Sequence, residues 1–212
     1  MYSLSISKAT VTRRAFAIGA AVLSVMLLSG GAHAQTKKGT VEQVELKQVL
    51  VFPPDTKGGA SDQISDDILG TIKDRLTASK KYEPIRFLSS IPTVRLAVMQ
   101  NTLLPADVRK PFDNDAKLKK LSGVTGQSYV IVASVDDYEY DSAKNQVNVV
   151  ISVRMIDYTG AKAVVRSAAQ SASSPANAGN TAESKLASDL AKSLTDKLMT
   201  SILTPKPTTQ AK

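Results

Sequence analysis

The chain has 212 residues, 27 lysines and arginines against 19 acids for a formal net charge of +8, one histidine at His33, and no cysteine or tryptophan. Thiol redox chemistry is excluded throughout, and beyond residue 33 so is any site built on imidazole, which removes the two side chains that do most nucleophilic and transition-metal chemistry near neutral pH. The basic excess is spread along the chain without interleaved aromatics, which argues against nucleic acid as a partner.

The N-terminus reads as an export segment. Residues 1–14 carry Lys8, Arg13 and Arg14 and no acid, Ala15 to Leu28 is a short apolar run, and Ala32-His33-Ala34 has the small-x-small pattern of a signal-peptidase site before Gln35. The run falls short of the roughly 20 residues a membrane span needs, so cleavage after Ala34 and no stable membrane insertion are expected. Thr12-Arg13-Arg14-Ala15-Phe16 resembles the twin-arginine export signal, with Arg13, Arg14 and Phe16 in place and a departure at Ala17 and Ile18; the general secretory route is the alternative. No cysteine follows the run, so no lipid anchor is expected. Removing residues 1–34 leaves 178, with 24 basic residues against 19 acids, a net +5. That length suits one domain over residues 35–204, followed by a disordered tail, 205–212.

Along the mature chain, Val44 to Phe52 alternates and ends in an apolar run stopped by Pro53-Pro54, which predicts a buried strand. A Gly-rich loop, Asp55 to Ala60, leads to a helix with Ile64, Ile68, Ile72 and Leu76 at a spacing of four and Leu69 beside them. Tyr82 to Leu88 reads as a second strand, and Ser89-Ser90-Ile91-Pro92 as the cap and first turn of a helix to about Gln100. Residues 101–115 read as a surface excursion with one helical turn at Ala106 to Arg109, and Ala116 to Leu121 as a short helix ended by Gly123. Tyr129 to Val135 is a β-branched central strand running on into polar residues 136–141. Val147, Val149, Ile151, Val153 and Met155 line one face of the next strand. After a turn at Asp157-Tyr158-Thr159-Gly160, Ala161 to Ala172 makes a less apolar third strand, which completes an antiparallel meander. A flexible link, Ser173 to Thr181, precedes a helix with Leu186, Leu190, Leu194, Leu198 and Ile202 every four residues. Two apolar registers over only about three heptads predict core packing there and not a coiled-coil seam.

Strand, helix, strand, helix, meander and closing helix make an α+β fold, a mixed sheet of about five strands with helices packed on it. The strand ending at Phe52, the Ile64 to Leu76 helix, Lys81-Tyr82 entering the second strand, Leu118 to Gly123 feeding Tyr129-Val130-Ile131-Val132, and the Asp157 to Gly160 turn before the Leu186 to Ile202 helix resemble the periplasmic fold shared by TolB N-terminal-like and curli-secretion CsgG-like domains. That resemblance implies a non-enzymatic role, since the group holds envelope adaptors, activators of cell-wall synthases and secretion-channel subunits. The chain departs from it in having no anchoring cysteine, no propeller and no long barrel-forming insertion.

No residue set marks a catalytic, cofactor or metal site. Asp136, Asp137, Glu139 and Asp141 offer the oxygen ligands calcium needs, but alternation divides them between two faces, and a solvated hairpin end is the reading kept. Asp113-Asn114-Asp115 begins like an EF-hand loop and fails at Lys117, Leu118 and Val124. Asp55 to Gly59 sits between strand and helix, where a loop can cradle phosphate, without P-loop spacing. Tyr138, Tyr140 and Tyr158, aromatics with a polar tip near the meander turns, are the candidates for contact with a partner; partial burial in their own hairpin is the competing reading. The expectation is a periplasmic or secreted adaptor or assembly accessory that contacts envelope proteins, with homo-oligomerisation left open. A periplasmic small-ligand-binding domain and, ranked below it, a histidine-independent hydrolase of the Ser-Lys or carboxylate kind are the alternatives.

Overall fold

The computed structural model describes residues 45–176 and 181–204, all within one compact unit. Strand β1 (Lys47–Val51) alternates between two hydrophobic environments. Val49 and Val51 point to one side of the sheet, Leu50 and the following Phe52 to the other, and all four are buried. A strand buried on both faces must lie inside a sheet. β1 pairs in parallel with β3 (Tyr82–Arg86) on one side and with β4 (Tyr129–Asp141) on the other. β4 continues antiparallel to β5 (Gln146–Asp157), and β5 to β6 (Val164–Ser173), so the order is β3-β1-β4-β5-β6. This is the mixed sheet and meander the sequence predicts. A sixth, two-residue strand, β2 (Asp55–Thr56), pairs in parallel with Ser134 and Val135 of β4 where a plain loop is expected.

Helices cover both faces. α1 (Asp62–Ala78) buries Ile64, Ile68, Leu69, Ile72 and Leu76, and α4 (Glu183–Leu203) buries Leu186, Leu194, Leu198 and Ile202 together with Ala187, Ala191 and Met199. These pack with Val147, Val149, Ile151, Val153 and Met155 of β5 in the larger core. Leu190 is only partly buried against it. On the other face, α2 (Pro92–Met99) and α3 (Asp115–Thr125) close a smaller core in which Phe52, Phe87 and Phe112 contact one another with ring centroids 4.5 to 5.4 Å apart. Phe112 and Leu103, both buried, pin the 101–115 excursion to this core.

Two boundaries differ from expectation for local reasons. Helix α3 runs through Gly123 and stops at Gly126, which has φ +72°, the left-handed cap that glycine adopts without penalty. Asn114 caps its start, accepting from the Ala116 and Lys117 amides. Helix α2 is entered through Ile91 with Pro92 in the first turn, so neither Ser89 nor Ser90 is its cap. Among the described residues no helix is long and apolar enough to cross a membrane.

Candidate functional site

The two edges of the sheet differ in how well they resist further pairing. β3 is five residues long and has Pro84 at its centre, which cannot donate to a neighbouring strand. β6 is ten residues long with no proline, and Arg166 is its one charged residue. Among the described residues no strand pairs with its outer side. Ala168 and Ala172 lean on the larger core, while Val164 and Val165 are about half exposed. The register sets Ser152 opposite Ala169 and Ser134, Arg154 opposite Ser167, and Val150 opposite Ser171. The smaller core takes only Ile156 from β5, so this small-residue side of β5 and β6 lies beyond it. A long edge without proline, next to a surface of mostly small side chains, offers its free backbone groups to another strand.

The far end of β4 is shaped by a bulge. The register shifts between Val135 and Asp137, so Val135, Tyr138 and Tyr140 oppose Ile151, Val149 and Val147, all residues of the larger core. Uninterrupted alternation from Val135 would have aimed Asp137, Glu139 and Asp141 at that core. The extra residue turns the tyrosines inward and the acids out. Gly58, at φ +68°, braces this point: a Cβ there would stand 2.9 Å from the Tyr138 backbone nitrogen and 3.0 Å from its carbonyl oxygen.

Tyr138 and Tyr140 therefore lie together, both half-buried. The Tyr138 hydroxyl donates to Glu183 Oε1 at 2.6 Å and that of Tyr140 to Asn145 Oδ1 at 2.9 Å. Burial first, and the Glu183 carboxylate second, push the Tyr138 phenol well above its ordinary pKa. Tyr158 is at the opposite end of the meander against the smaller core, its hydroxyl 3.4 Å from the Asp115 carbonyl oxygen, and burial raises it too. The three do not form one surface. The neighbouring acids serve separate partners: Asp136 accepts from Ser134, Glu139 from Asn148, and Asp141 from the Ala143 and Lys144 amides of the hairpin turn.

A cleft of about 190 Å³ opens between β2, the 111–113 segment and the β4-β5 ladder, lined by Asp55, Lys57, Phe112, Ser134, Ser152 and Arg154 among others. Asp55 Oδ2 accepts from the Phe112 amide at 2.6 Å, while Oδ1 is buried without a partner. Burial raises this carboxyl above its ordinary pKa, opposed by the Phe112 N–H and the Lys110 charge. A half-buried carboxyl group at the start of the 55–59 segment disfavours phosphate there, which agrees with a connecting loop. Ser134 and Ser152 bond each other at 2.8 Å, and Ser134 also donates to Asp136 at 2.7 Å. Arg154 is held by Asp115 and by the Asp113 carbonyl, each at 3.0 Å.

No protein-family model matches the chain, and no curated protein does. Among solved structures it is similar to the PelC dodecamer of Paraburkholderia phytofirmans, at 13% identity over 76% of this chain and 90% of that one, TM-score 0.49. It is also similar to lipoprotein GNA1162 of Neisseria meningitidis, at 19% identity over 71% and 96%, TM-score 0.41. A third likeness is to the LpoB C-terminal domain of Salmonella enterica, at 14% identity over 62% and 86%, TM-score 0.39. Likenesses of this degree carry nothing about activity or partner.

The export residues Arg13, Arg14, Phe16, Ala32, Ala34 and Gln35, and the tail from 205, lie outside the described residues. The β6 edge is the feature that residue-by-residue reading underweights. Its signal is a negative one, ten strand residues with neither proline nor lysine.

Proposed function

We propose that this chain is an exported, non-enzymatic envelope adaptor that binds a protein partner by strand addition at β6. The carrying observation is the contrast between the edges, since β3 is short and blocked by Pro84 while β6 is long and unblocked. The basic, apolar and small-residue order of residues 1–34 supports a periplasmic or secreted site of action after cleavage before Gln35. Within this proposal the chain is a member of the TolB N-terminal-like and CsgG-like group, with residues 35–204 as its single domain. Hydrolysis ranks lower, because the one serine pair in a cleft bonds to itself and to Asp136 and not to a lysine. Small-ligand binding also ranks lower, because the Asp55 cleft is under the roughly 300 Å³ at which ligand sites usually begin, and the larger concavities, about 450 Å³ between α1 and α4 and about 440 Å³ beside the start of β1, are shallow and open to solvent.

Adjacent residues of an antiparallel strand alternate in which way their N–H points, so of Ser167→Pro and Ala168→Pro one disrupts the β5 ladder and the other only the free edge. The variant that keeps its melting temperature should lose partner capture by a photoreactive residue at position 165. A matching probe at Ile85 on β3 should capture nothing. Equal capture from both edges, or capture that survives the well-folded proline variant, would refute strand addition. Intact mass of the exported protein should place its first residue at Gln35.

A further inference from the structure

The two helical layers carry opposite charge and unequal exposed apolar surface. Helices α1 and α4 together hold seven acids and five bases, a net −2. Residues 87–120, which run through α2 and α3 on the other face, hold six bases and three acids, a net +3, while Arg86 on β3 turns to the first layer and pairs with Asp66 of α1 at 3.9 Å. Two of those acids are engaged in ion pairs, Asp107 with Lys120 at 3.6 Å and Asp115 with Arg154 at 3.0 Å. Arg95 and Lys119 make no ion pair among the described residues.

The exposed apolar side chains gather on the same side. Helix α2 buries Val94 and Ala97, three residues apart. Leu96 and Met99, also three apart, occupy the opposite stripe and are 53% and 77% exposed. Leu88 just before the helix and Leu104 just after it are 49% and 58% exposed. Four of the seven exposed large hydrophobics among the described residues thus fall in one 17-residue stretch around a single helix, which random scatter of surface leucines does not produce. They are unbranched at Cβ, aliphatic and without an aromatic among them, unlike the Trp, Tyr and Arg anchors of protein interfaces.

We infer that the outward face of α2 docks the protein peripherally on an anionic lipid surface, Leu96 and Met99 entering the headgroup boundary and Arg95 and Lys119 facing the lipid charge. Short amphipathic helices bind membranes by this pairing of apolar insertion and basic rim, and each basic residue near such a surface contributes about fivefold in affinity. The opposite layer, with its net negative charge, is turned away from the membrane. β6 belongs to a different element, so docking through α2 leaves the sheet edge open.

The test is co-sedimentation of the exported form with phosphatidylcholine vesicles containing 30% phosphatidylglycerol, against phosphatidylcholine alone, in low and high salt. The expected result is binding to the anionic vesicles that high salt abolishes, with little to the neutral ones. Leu96→Ser with Met99→Ser should reduce binding at least about tenfold, and Arg95→Gln with Lys119→Gln several-fold, with melting temperatures unchanged because all four side chains are exposed. Equal binding to neutral and anionic vesicles, no binding to either, or undiminished binding by the serine pair would overturn the inference. So would a serine pair that changes only self-association in sedimentation velocity, since that result assigns the face to a second copy.

Discussion

Replacing Gly58 and Gly59 one at a time by alanine separates two costs that usually arrive together. Both residues have positive φ, +68° and +80°, so each alanine meets the left-handed backbone penalty of about 1 to 2 kcal/mol. At Gly59 the new methyl enters open space and nothing further is expected. At Gly58 it lands against the Tyr138 backbone, which the β4-β5 ladder holds, so relief needs a shift of strand and not a rotation of a side chain. Overpacking of that kind costs about 1 to 3 kcal/mol more. Gly58→Ala should therefore lose about 2 to 5 kcal/mol and Gly59→Ala about 1 to 2. Urea denaturation followed by circular dichroism reads both, provided the slope is constant. Tyrosine fluorescence should change only in the first, because moving Tyr138 lengthens its 2.6 Å bond to Glu183. Equal losses in the two variants would refute the bracing role given to Gly58.

Leu194, 1% exposed in the larger core, should cost about 2 to 5 kcal/mol when cut to alanine, with a lower melting temperature and no change in oligomeric state; a stable variant that lost self-association would make the α4 stripe an interface. Asp67 provides the pH dependence. Burial alone would raise its carboxyl, but hydrogen bonds from Ser188 and Lys192 and the Lys192 charge, 3.1 Å away, hold it below the ordinary carboxylate value. An acid whose folded pKa is depressed adds stability that is complete above its unfolded pKa of about 4 and disappears as pH falls through the folded one. Lys192→Met should lower stability near neutral pH by about 1 to 3 kcal/mol, toward the low end because Lys192 is half exposed, and flatten the decline below pH 4. A wild-type decline unchanged in the variant would remove the pair from the account.

Periodicity carried most of the fold. The four-residue stripes of α1 and α4 and the alternation of β5 each name side chains that are in fact buried, because those elements have one dry face and the pattern records it. What escaped was set by contacts distant in sequence. The pairing of Asp55–Thr56 with β4 depends on residues 79 positions away, and the anchoring of Phe112 depends on Phe52 and Phe87. The bulge after Val135 escaped too, since alternation assumes one residue per step and a bulge inserts another. Proximity to turns groups the three tyrosines in the sequence, whereas the ladder places Tyr138 and Tyr140 at one end and Tyr158 at the other.

The position of α4 bears on the order in which the chain can mature. Seven buried residues of the larger core come from this one helix, and it is the final described element. The hairpins of β4, β5 and β6 are local and can form early, yet their inner face stays wet until Ile202 has been synthesised. A chain whose synthesis has not reached the end of α4 therefore holds an unfinished sheet with an exposed apolar side. A pathway that threads unfolded polypeptide can engage it in that state. Under the proposed export, a pathway that carries folded cargo must wait for α4 to close, so the delay between synthesis and export, followed by pulse-chase, distinguishes the two routes.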